Sequence, residues 1–557
     1  MEIGEDIIIA GFSGTGKSQV AREVAQRLDW HFIDTDNEVS QLAGKSIAEI
    51  FQQDGEGKFR KLERHIIEKA CQQKQAVMAL GGGAIVDPRN YKLLARSGAI
   101  ICLEAEPETI YQRLFKEKAY DVEAEVRPLL SDENPLERIR ELKASRQHYY
   151  DDAALTIHTD HLNINQVAGE VIRVWKLLGH RASHSHGAKA GSDIDEDIAS
   201  WVETPIQSYP LFVGYGLLDK LGVKMKQADL SGTAIVVSDE NVFSFYGSRV
   251  EGILKDAGFA VNSFVVLPGE TSKSMDAVST IYDFMVGHRV ERNDVIVALG
   301  GGVVGDLAGF VAATFLRGIS WVQVPTSLLA MVDASIGGKV GVNHPQGKNL
   351  IGAFYQPSLV LADCQTLTTL PQRELISGWA EVIKHGLILD RSFVEFLEAD
   401  AEAIKREGAL LTQAVARSAA IKALVVNEDE KEKGKRIVLN YGHTIAHGLE
   451  AATQYGCFLH GEAVAIGMVG AARIAEKQGL LSSNVVQRQQ MLLERFNLPV
   501  SFSHIDLGKV MKAMELDKKI REKTIQWVLL QDIGRTVIHN NVPQQIVLDV
   551  LQELMES

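Results

Sequence analysis

Cysteine is scarce in this chain. Cys71, Cys102, Cys364 and Cys457 are the only four in 557 residues, and none forms a C-x-x-C pair. That argues against a disulfide framework or a thiolate metal cluster, and the expectation is a reduced, cytoplasmic protein. Positive charge is also in deficit, with 58 Lys and Arg against 72 Asp and Glu and a formal net charge of −14. A net acidic surface disfavours nonspecific nucleic-acid binding, although a local basic cleft can still take an anionic small molecule. The opening residues, MEIGEDIIIAG, have no basic stretch ahead of their apolar run and soon enter a glycine-rich loop, so no signal peptide is expected. Val295 to Leu316 is apolar, but it holds three consecutive glycines and Asp306. It reads as a buried strand, turn and helix rather than a membrane span. The partners to expect are small molecules, not nucleic acid or membrane.

The length calls for two to four domains, and the composition, 46% hydrophobic and 23% charged, is that of a globular protein. Short apolar runs at 7–10, 76–80 and 99–103 alternate with helical patterns, as in a parallel α/β sheet. A helical segment near 162–178 closes this part. Residues 179–198 are small and polar without periodicity and read as a linker, and His184 and His186 within it read as solvated rather than metal-bound. A second α/β pattern follows, with strands expected at 234–238, 263–267, 295–299 and 321–324. Beyond about 371 the pattern turns helical, except for a small hairpin near 525–538. The expected organisation is 1–178 for the first domain, 199–370 for a second α/β lobe and 371–557 for a mainly helical lobe.

Gly11 to Ser18, GFSGTGKS, fits G-x-x-x-x-G-K-[ST] between a strand and a helix. Glycines let backbone N–H groups at Gly14, Thr15 and Gly16 wrap phosphates. Lys17 reaches the β/γ-phosphates and Ser18 ligates Mg²⁺ of Mg–ATP. Asp34-Thr-Asp36 follows a strand-like WHFI, and on an extended segment the two carboxylates would point the same way. One would serve Mg²⁺ and the other an acceptor hydroxyl. Phe59-Arg60 with Glu63, Gly81-Gly82-Gly83, Arg127-Pro-Leu-Leu, and Arg146 before Tyr149-Tyr150 complete the series. A surface ion pair is the plain alternative for any single arginine.

In that order these motifs resemble shikimate kinase over about residues 5–170. The resemblance implies that Asp34 supports Mg²⁺ and that Asp36 binds the shikimate hydroxyls and acts as base. Arg60 and Arg146 would clamp the carboxylate, and Gly81, Gly82 and Gly83 would line the ring. Arg127, from a lid whose segment 116–126 is charged and poor in core residues, would meet the transferring phosphoryl group.

In the second part Gly300-Gly301-Gly302-Val303-Val304-Gly305 matches G-x-G-x-x-G after the strand VIVAL. An ordinary dinucleotide fold would place an acid about 20 residues on, and residues 318–326 have none. Glu381 and His385, or His443 and His447, stand at i,i+4 and qualify as metal ligands, so helical spacing alone leaves several ligand sets open. A structural histidine is the plain alternative for each.

The motifs PGETSK (268–273), GGGVVGD (300–306), VDASIGGK (332–339), AEVIKHG (380–386), NYGHTIAH (440–447) and HGEAV (460–464) together resemble 3-dehydroquinate synthase. Tyr441 stands where the family has phenylalanine. The resemblance implies Glu381, His443 and His460 as ligands of zinc, or another divalent ion such as cobalt. It implies Lys339, Lys384, Arg436, Asn440 and His447 as catalytic, and Arg317, Asp333, Lys348, Asn349 and Lys518 (or Lys519) as substrate contacts. NAD would be met by Asp239, Asn241, Glu270, Lys273, Gly301, Gly302, Val303, Gly305, Asp306, Thr326 and Ser327. Asp239 then reads the adenosine end in place of the missing acid. The family also implies a homodimer through this half. The alternatives are a metal-dependent polyol dehydrogenase here, or one half reduced to a nucleotide-binding regulatory module.

Overall fold

The computed structural model describes residues 6–116, 135–150, 155–160, 162–177, 197–204, 207–432, 434–454, 456–520, 525–540 and 542–556. The chain divides into Met1–Asp195 and Glu196–Ser557. His184 and His186 lie outside the described residues, as do Arg127 and residues 117–126 of the expected lid.

The first unit is a five-stranded parallel sheet. Its strands are β1 (Asp6–Gly11), β2 (His31–Asp34), β3 (Ala76–Ala79), β4 (Gly98–Glu104) and β5 (Leu155–His158), in the order β2-β3-β1-β4-β5. The central strand β1 is apolar because helices cover both faces, and Ile7, Ile8 and Ile9 are each 0% exposed. Each such burial contributes about 1.5–3 kcal/mol. The strand β5 had no clear signal, since only four residues, LTIH, form it. The closing helix is Ile164–Leu177.

The second unit has a seven-stranded sheet built from β6 (Ile198–Glu203), β7 (Ser208–Gly214), β8 (Thr233–Asp239), β9 (Ala260–Val266), β10 (Val295–Gly300), β11 (Ser320–Pro325) and β14 (Leu359–Asp363). Their order is β6-β7-β14-β11-β10-β8-β9. Only β6–β7 pairs antiparallel. β12 (Lys339–His344) and β13 (Gly347–Phe354) form a separate hairpin. The four strands expected from apolar runs are β8 to β11. β6, β7 and β12 to β14 were not among the expected strands. Val295 to Leu316 is β10, a helix Gly302–Thr314 and the following turn.

From Gln372 onward helices dominate around one core, and the expected hairpin is Trp527–Asp532 with Arg535–His539. Among the described residues one helix, Gly408–Glu428, is long and apolar enough to cross a membrane by length and composition, and 61% of its most apolar window is buried inside the protein. Its Ala414, Val415, Ala419, Ile421 and Val426 belong to the core of the helical lobe.

Two candidate active sites

In the first unit β1 ends in the phosphate loop. Gly14 and Gly16 adopt φ of 86° and 92°, which glycine alone takes readily. Gly16 precedes the helix Lys17–Leu28 without any side-chain cap, so its first N–H groups face the loop. The Lys17 ammonium donates to the Phe12 carbonyl at 2.8 Å and Thr15 Oγ1 to the same oxygen at 2.9 Å. The loop is thus closed on itself with Lys17 lying across it.

The Asp34–Asp36 segment is not extended. β2 stops at Asp34, whose Oδ1 accepts from the Asp36 and Asn37 N–H groups at 3.1 and 3.2 Å and caps the helix Thr35–Ala43. Such a cap contributes about 1 kcal/mol, and it puts Asp36 in the first helical turn instead of one pleat further on. Asp36 still reaches the triple glycine, because a Cβ on Gly81 would collide with Asp36 Oδ1. On Gly83 it would lie 2.8 Å from Arg60 Nη2. The glycines therefore leave room between the acid and the guanidinium. Arg60 pairs with Glu63 at 2.8 Å, and the other Glu63 oxygen is buried without a hydrogen bond. Burial works against the Arg60 cation, but Glu63 outweighs it and holds the guanidinium protonated. Arg146 donates to the Gly82 carbonyl at 3.3 Å and the Tyr150 hydroxyl to the same oxygen at 2.6 Å. Asp36, Arg60, Arg146 and the three glycines thus meet around one opening.

Gly81→Ala is expected to lower phosphoryl transfer to the acceptor by roughly 10²-fold, since a misplacement of about 1 Å at a reacting group costs on that order. Nucleotide binding should be retained, as the phosphate loop is untouched. Steady-state kinetics with nucleotide binding on the same preparation checks both.

In the second unit Glu381 lies on the helix Gln372–Leu389 and is 0% exposed. Its Oε1 has no hydrogen bond. Oε2 faces the Lys384 ammonium, in ion contact, and His385 Nε2 at 4.0 Å. Oε1 faces His443 Nε2 at 3.7 Å and His460 Nε2 at 3.9 Å. Ligand atoms about 2 Å from one tetrahedral ion stand ~3.3 Å apart, so this trio fits a metal. The remaining ring nitrogens are held as outer-shell partners hold metal ligands. His443 Nδ1 is 3.2 Å from the Tyr441 carbonyl, and His460 Nδ1 is 3.2 Å from Glu450 Oε1.

A second trio, Asp333, Glu381 and His385, is also close enough to hold an ion. It is the poorer one. Asp333 is already in ion contact with Lys422, and His385 Nδ1 bonds Ser418 Oγ at 2.8 Å. Lys384 and Lys422 push His385 further down after burial has already lowered it, and the same two cations would repel a metal. His447 stands exposed on the helix His443–Ala452 with its ring edge-on to His443, centroids 5.5 Å apart.

Cations gather beside this trio. Lys384 and Lys422 are 1% and 6% exposed, and Arg436 is 2% exposed. Lys339 is half exposed, yet partial desolvation and the repulsion of Arg436 lower it below the ordinary lysine range despite its contact with Glu432. Burial likewise lowers Lys422, against the pull of Asp333. Buried cations in mutual repulsion are a site for a multiply charged anion. Lys422 and Glu450 were not among the expected residues. Lys422 is a single charged residue on a largely apolar helix face, and Glu450 lies on the same face as His443 and His447; only the buried contacts of each reveal its role.

The glycine turn after β10 leads into the helix Gly302–Thr314, whose N-cap Gly301 offers no side-chain bond, leaving its N–H groups open to a pyrophosphate. Gly305 packs on Gln323, where a Cβ would collide with the amide. Lys273 contacts Asp306 and donates to Asn349 Oδ1 at 2.5 Å. Burial raises Asp306 to about 6 against the pull of Lys273. The Thr326 N–H donates to the Gly300 carbonyl at 3.0 Å, and Ser327 Oγ accepts from the Ala330 N–H at 3.3 Å. Asp239 Oδ1 caps the helix Glu240–Asp256 through the Asn241 and Val242 N–H groups. Lys348 is exposed on the hairpin, and Asn440 ends the turn Lys435–Asn440. Arg317 stands exposed on a left-handed turn, with φ of 49° at Leu316 and 69° at Arg317. No hydrogen bond or ion pair joins it to the other named residues among those described. Lys518 lies on the helix Leu507–Ile520 in a stretch whose side chains are outside the described residues.

Family models match this chain in three places: the shikimate kinase family at residues 13–176, the 3-dehydroquinate synthase N-terminal part at 263–377 and its C-terminal part at 378–520. The 3-dehydroquinate synthase of Microcystis aeruginosa is 47% identical over 353 residues, spanning 63% of this chain and 96% of that protein. That of Crocosphaera subtropica is 45% identical over 357 residues, 63% and 98%. Among solved structures, 2-epi-5-epi-valiolone synthase from Streptomyces hygroscopicus, with NAD⁺ and Zn²⁺ bound, matches at 29% identity and a TM-score of 0.58. That match covers 63% of this chain and 98% of the synthase. A 2-deoxy-scyllo-inosose synthase with carbaglucose-6-phosphate, NAD⁺ and Co²⁺ matches at 27% and 0.58, covering 64% and 99%. The chain belongs to the 3-dehydroquinate synthase family and carries a shikimate kinase ahead of the synthase, two enzymes of the shikimate pathway in one polypeptide.

Proposed function

We propose that the second unit converts a seven-carbon sugar-acid phosphate, 3-deoxy-D-arabino-heptulosonate 7-phosphate, to 3-dehydroquinate and phosphate, with NAD and one divalent metal as cofactors. The observation that carries this is Glu381, whose unbonded Oε1 faces two imidazoles already oriented from behind. The synthase structures above hold NAD⁺ with Zn²⁺ or Co²⁺, which supports the same pair here. Glu381, His443 and His460 would hold the metal. When bound, the metal acidifies a substrate hydroxyl and NAD accepts and returns hydride at that carbon.

The chain's own groups do the rest. The helix N-terminus at Gly302 and the Lys273 ammonium receive the dinucleotide. Lys339, Lys384, Lys422 and Arg436 neutralise the substrate's carboxylate and phosphate. His447 is placed to hold a proton beside the metal ligands. Because hydride is returned, NAD is not consumed. Phosphate release without accumulation of NADH is expected in a stopped assay, and NADH formed mole for mole with substrate would identify a dehydrogenase instead. A homodimer through this half belongs to the same reading, and a solution mass measurement tests it.

In the first unit Mg–ATP would lie on Gly14 to Ser18, with Asp34 supporting Mg²⁺ through its uncapped oxygen and Asp36 taking the acceptor proton. Arg60 and Arg146 would grip the shikimate carboxylate. Arg60→Ala and Arg146→Ala should each raise the KM for shikimate tenfold to a hundredfold, from about 1.5–3 kcal/mol per charged hydrogen bond. The KM for ATP should move far less. Arg60→Ala should also lower the melting temperature, because it strips buried Glu63 of its cation. An unchanged shikimate KM in both variants would take these arginines out of the acceptor site.

A further inference from the structure

Asn343 stands at the end of β12, between the segment that meets the dinucleotide and the turn that meets the substrate. Its N–H donates to the Lys273 carbonyl at 2.9 Å. Its side-chain Nδ2 donates to Glu270 Oε1 at 2.8 Å, and its Oδ1 accepts from the Asn349 N–H at 2.9 Å. The ring is closed by Lys273 Nζ, which donates to Asn349 Oδ1 at 2.5 Å and contacts Asp306 at the start of the glycine-turn helix. Asn349 itself sits at φ 55°, a left-handed conformation that the bond from its N–H to Asn343 helps to hold. The Asn343 side-chain amide thus ties Glu270 to Asn349, next to Lys348, while its main-chain N–H holds Lys273.

We propose that Asn343 is a positioning residue that couples the two ligand segments, so that the dinucleotide and the sugar-acid phosphate each bind more tightly when the other is present. The inference rests on the assignment of these two segments given above. A ligand that fixes Glu270 and Lys273 fixes Asn343, and through its Oδ1 the turn carrying Lys348 and Asn349. The second ligand then meets an ordered turn instead of having to order it. Linkage makes the effect reciprocal.

The test uses the full-length, metal-loaded enzyme and NADH, which cannot oxidise the substrate alcohol, so no turnover intervenes. NADH affinity is read from its fluorescence with and without saturating heptulosonate phosphate. In the wild type the substrate should tighten NADH binding by about 5- to 150-fold, the usual range for coupled sites. Asn343→Ala should lower that factor by at least about threefold, leaving what the direct Lys273–Asn349 bond carries. Its fold should survive, since the Asn343 backbone bond and the bridge to Ser274 do not depend on the side chain. Asn343→Asp keeps an acceptor for the Asn349 N–H but faces Glu270 with a second carboxylate. It should keep more of the coupling than Ala while binding NADH alone more weakly than the wild type. A coupling factor unchanged in Asn343→Ala, or a wild-type factor of one, overturns the proposal. Failure of the wild type to bind NADH at all would instead overturn the dinucleotide assignment beneath it.

Discussion

His460→Ala is expected to leave the second unit folded, reduce its bound metal to background and abolish dehydroquinate formation. His460 is one of the two imidazoles that face Glu381 Oε1 in the proposed metal site, and a catalytic metal held by three protein ligands does not keep its place on two. The loss should exceed the roughly 10- to 100-fold that follows removal of an outer-shell partner. Glu450 is such a partner, so its removal sets a lower mark on the same scale. His460 is a better probe than Glu381, because deleting that carboxylate would leave Lys384 buried without its counter-charge, a cost of about 3–5 kcal/mol that confuses metal loss with unfolding. His447→Ala is the control. Its ring lies 5.5 Å from that of His443 and outside the trio, so turnover should fall while stoichiometric metal remains. Metal analysis of the two purified variants decides the matter. Metal lost from His447→Ala and kept in His460→Ala would reverse the assignment.

Lys17→Ala is expected to abolish shikimate phosphorylation. Lys17 is the only lysine in the phosphate loop, and its ammonium lies across the loop at the Phe12 carbonyl, where β- and γ-phosphates would seat. Transfer of a phosphoryl group depends on fixed positive charge more than on covalent chemistry, and loss of a single such cation costs on the order of 10³-fold or more. Dehydroquinate formation should not change, because every residue placed in the synthase site lies in Glu196–Ser557 and the phosphate loop lies in Met1–Asp195.

The parts legible in the sequence are those whose chemistry is written locally. The phosphate loop needs glycines and a lysine at fixed offsets, and β1 before it needs an unbroken apolar run, so both could be read directly. The strand β7, YPLFVG after Ser208, carries a proline, and the β12–β13 hairpin is so rich in glycine and polar residues that its alternation is hidden. Asp34 misled for a different reason. Strand-like residues precede it, but an aspartate that can cap a helix ends the strand there, and this turned the extended D-x-D reading into a cap and a first-turn acid. At the proposed metal site helical spacing pointed as well to His385 and His447 as to His443, and the family resemblance favoured Glu381, His443 and His460. The geometry is compatible with that trio, since Glu381 turns one oxygen to two imidazoles and the other to a lysine. Lys422, Glu450 and Asn343 had no local signature, because what defines each is a partner 10 to 89 residues away.

The most direct test of the account is the ratio of the two activities in full-length protein, measured side by side for the wild type, Lys17→Ala and His460→Ala. Two separate sites in one chain predict that each variant loses one reaction and keeps the other within about twofold, about 0.4 kcal/mol of barrier. A folded variant in which one substitution silences both reactions would contradict it.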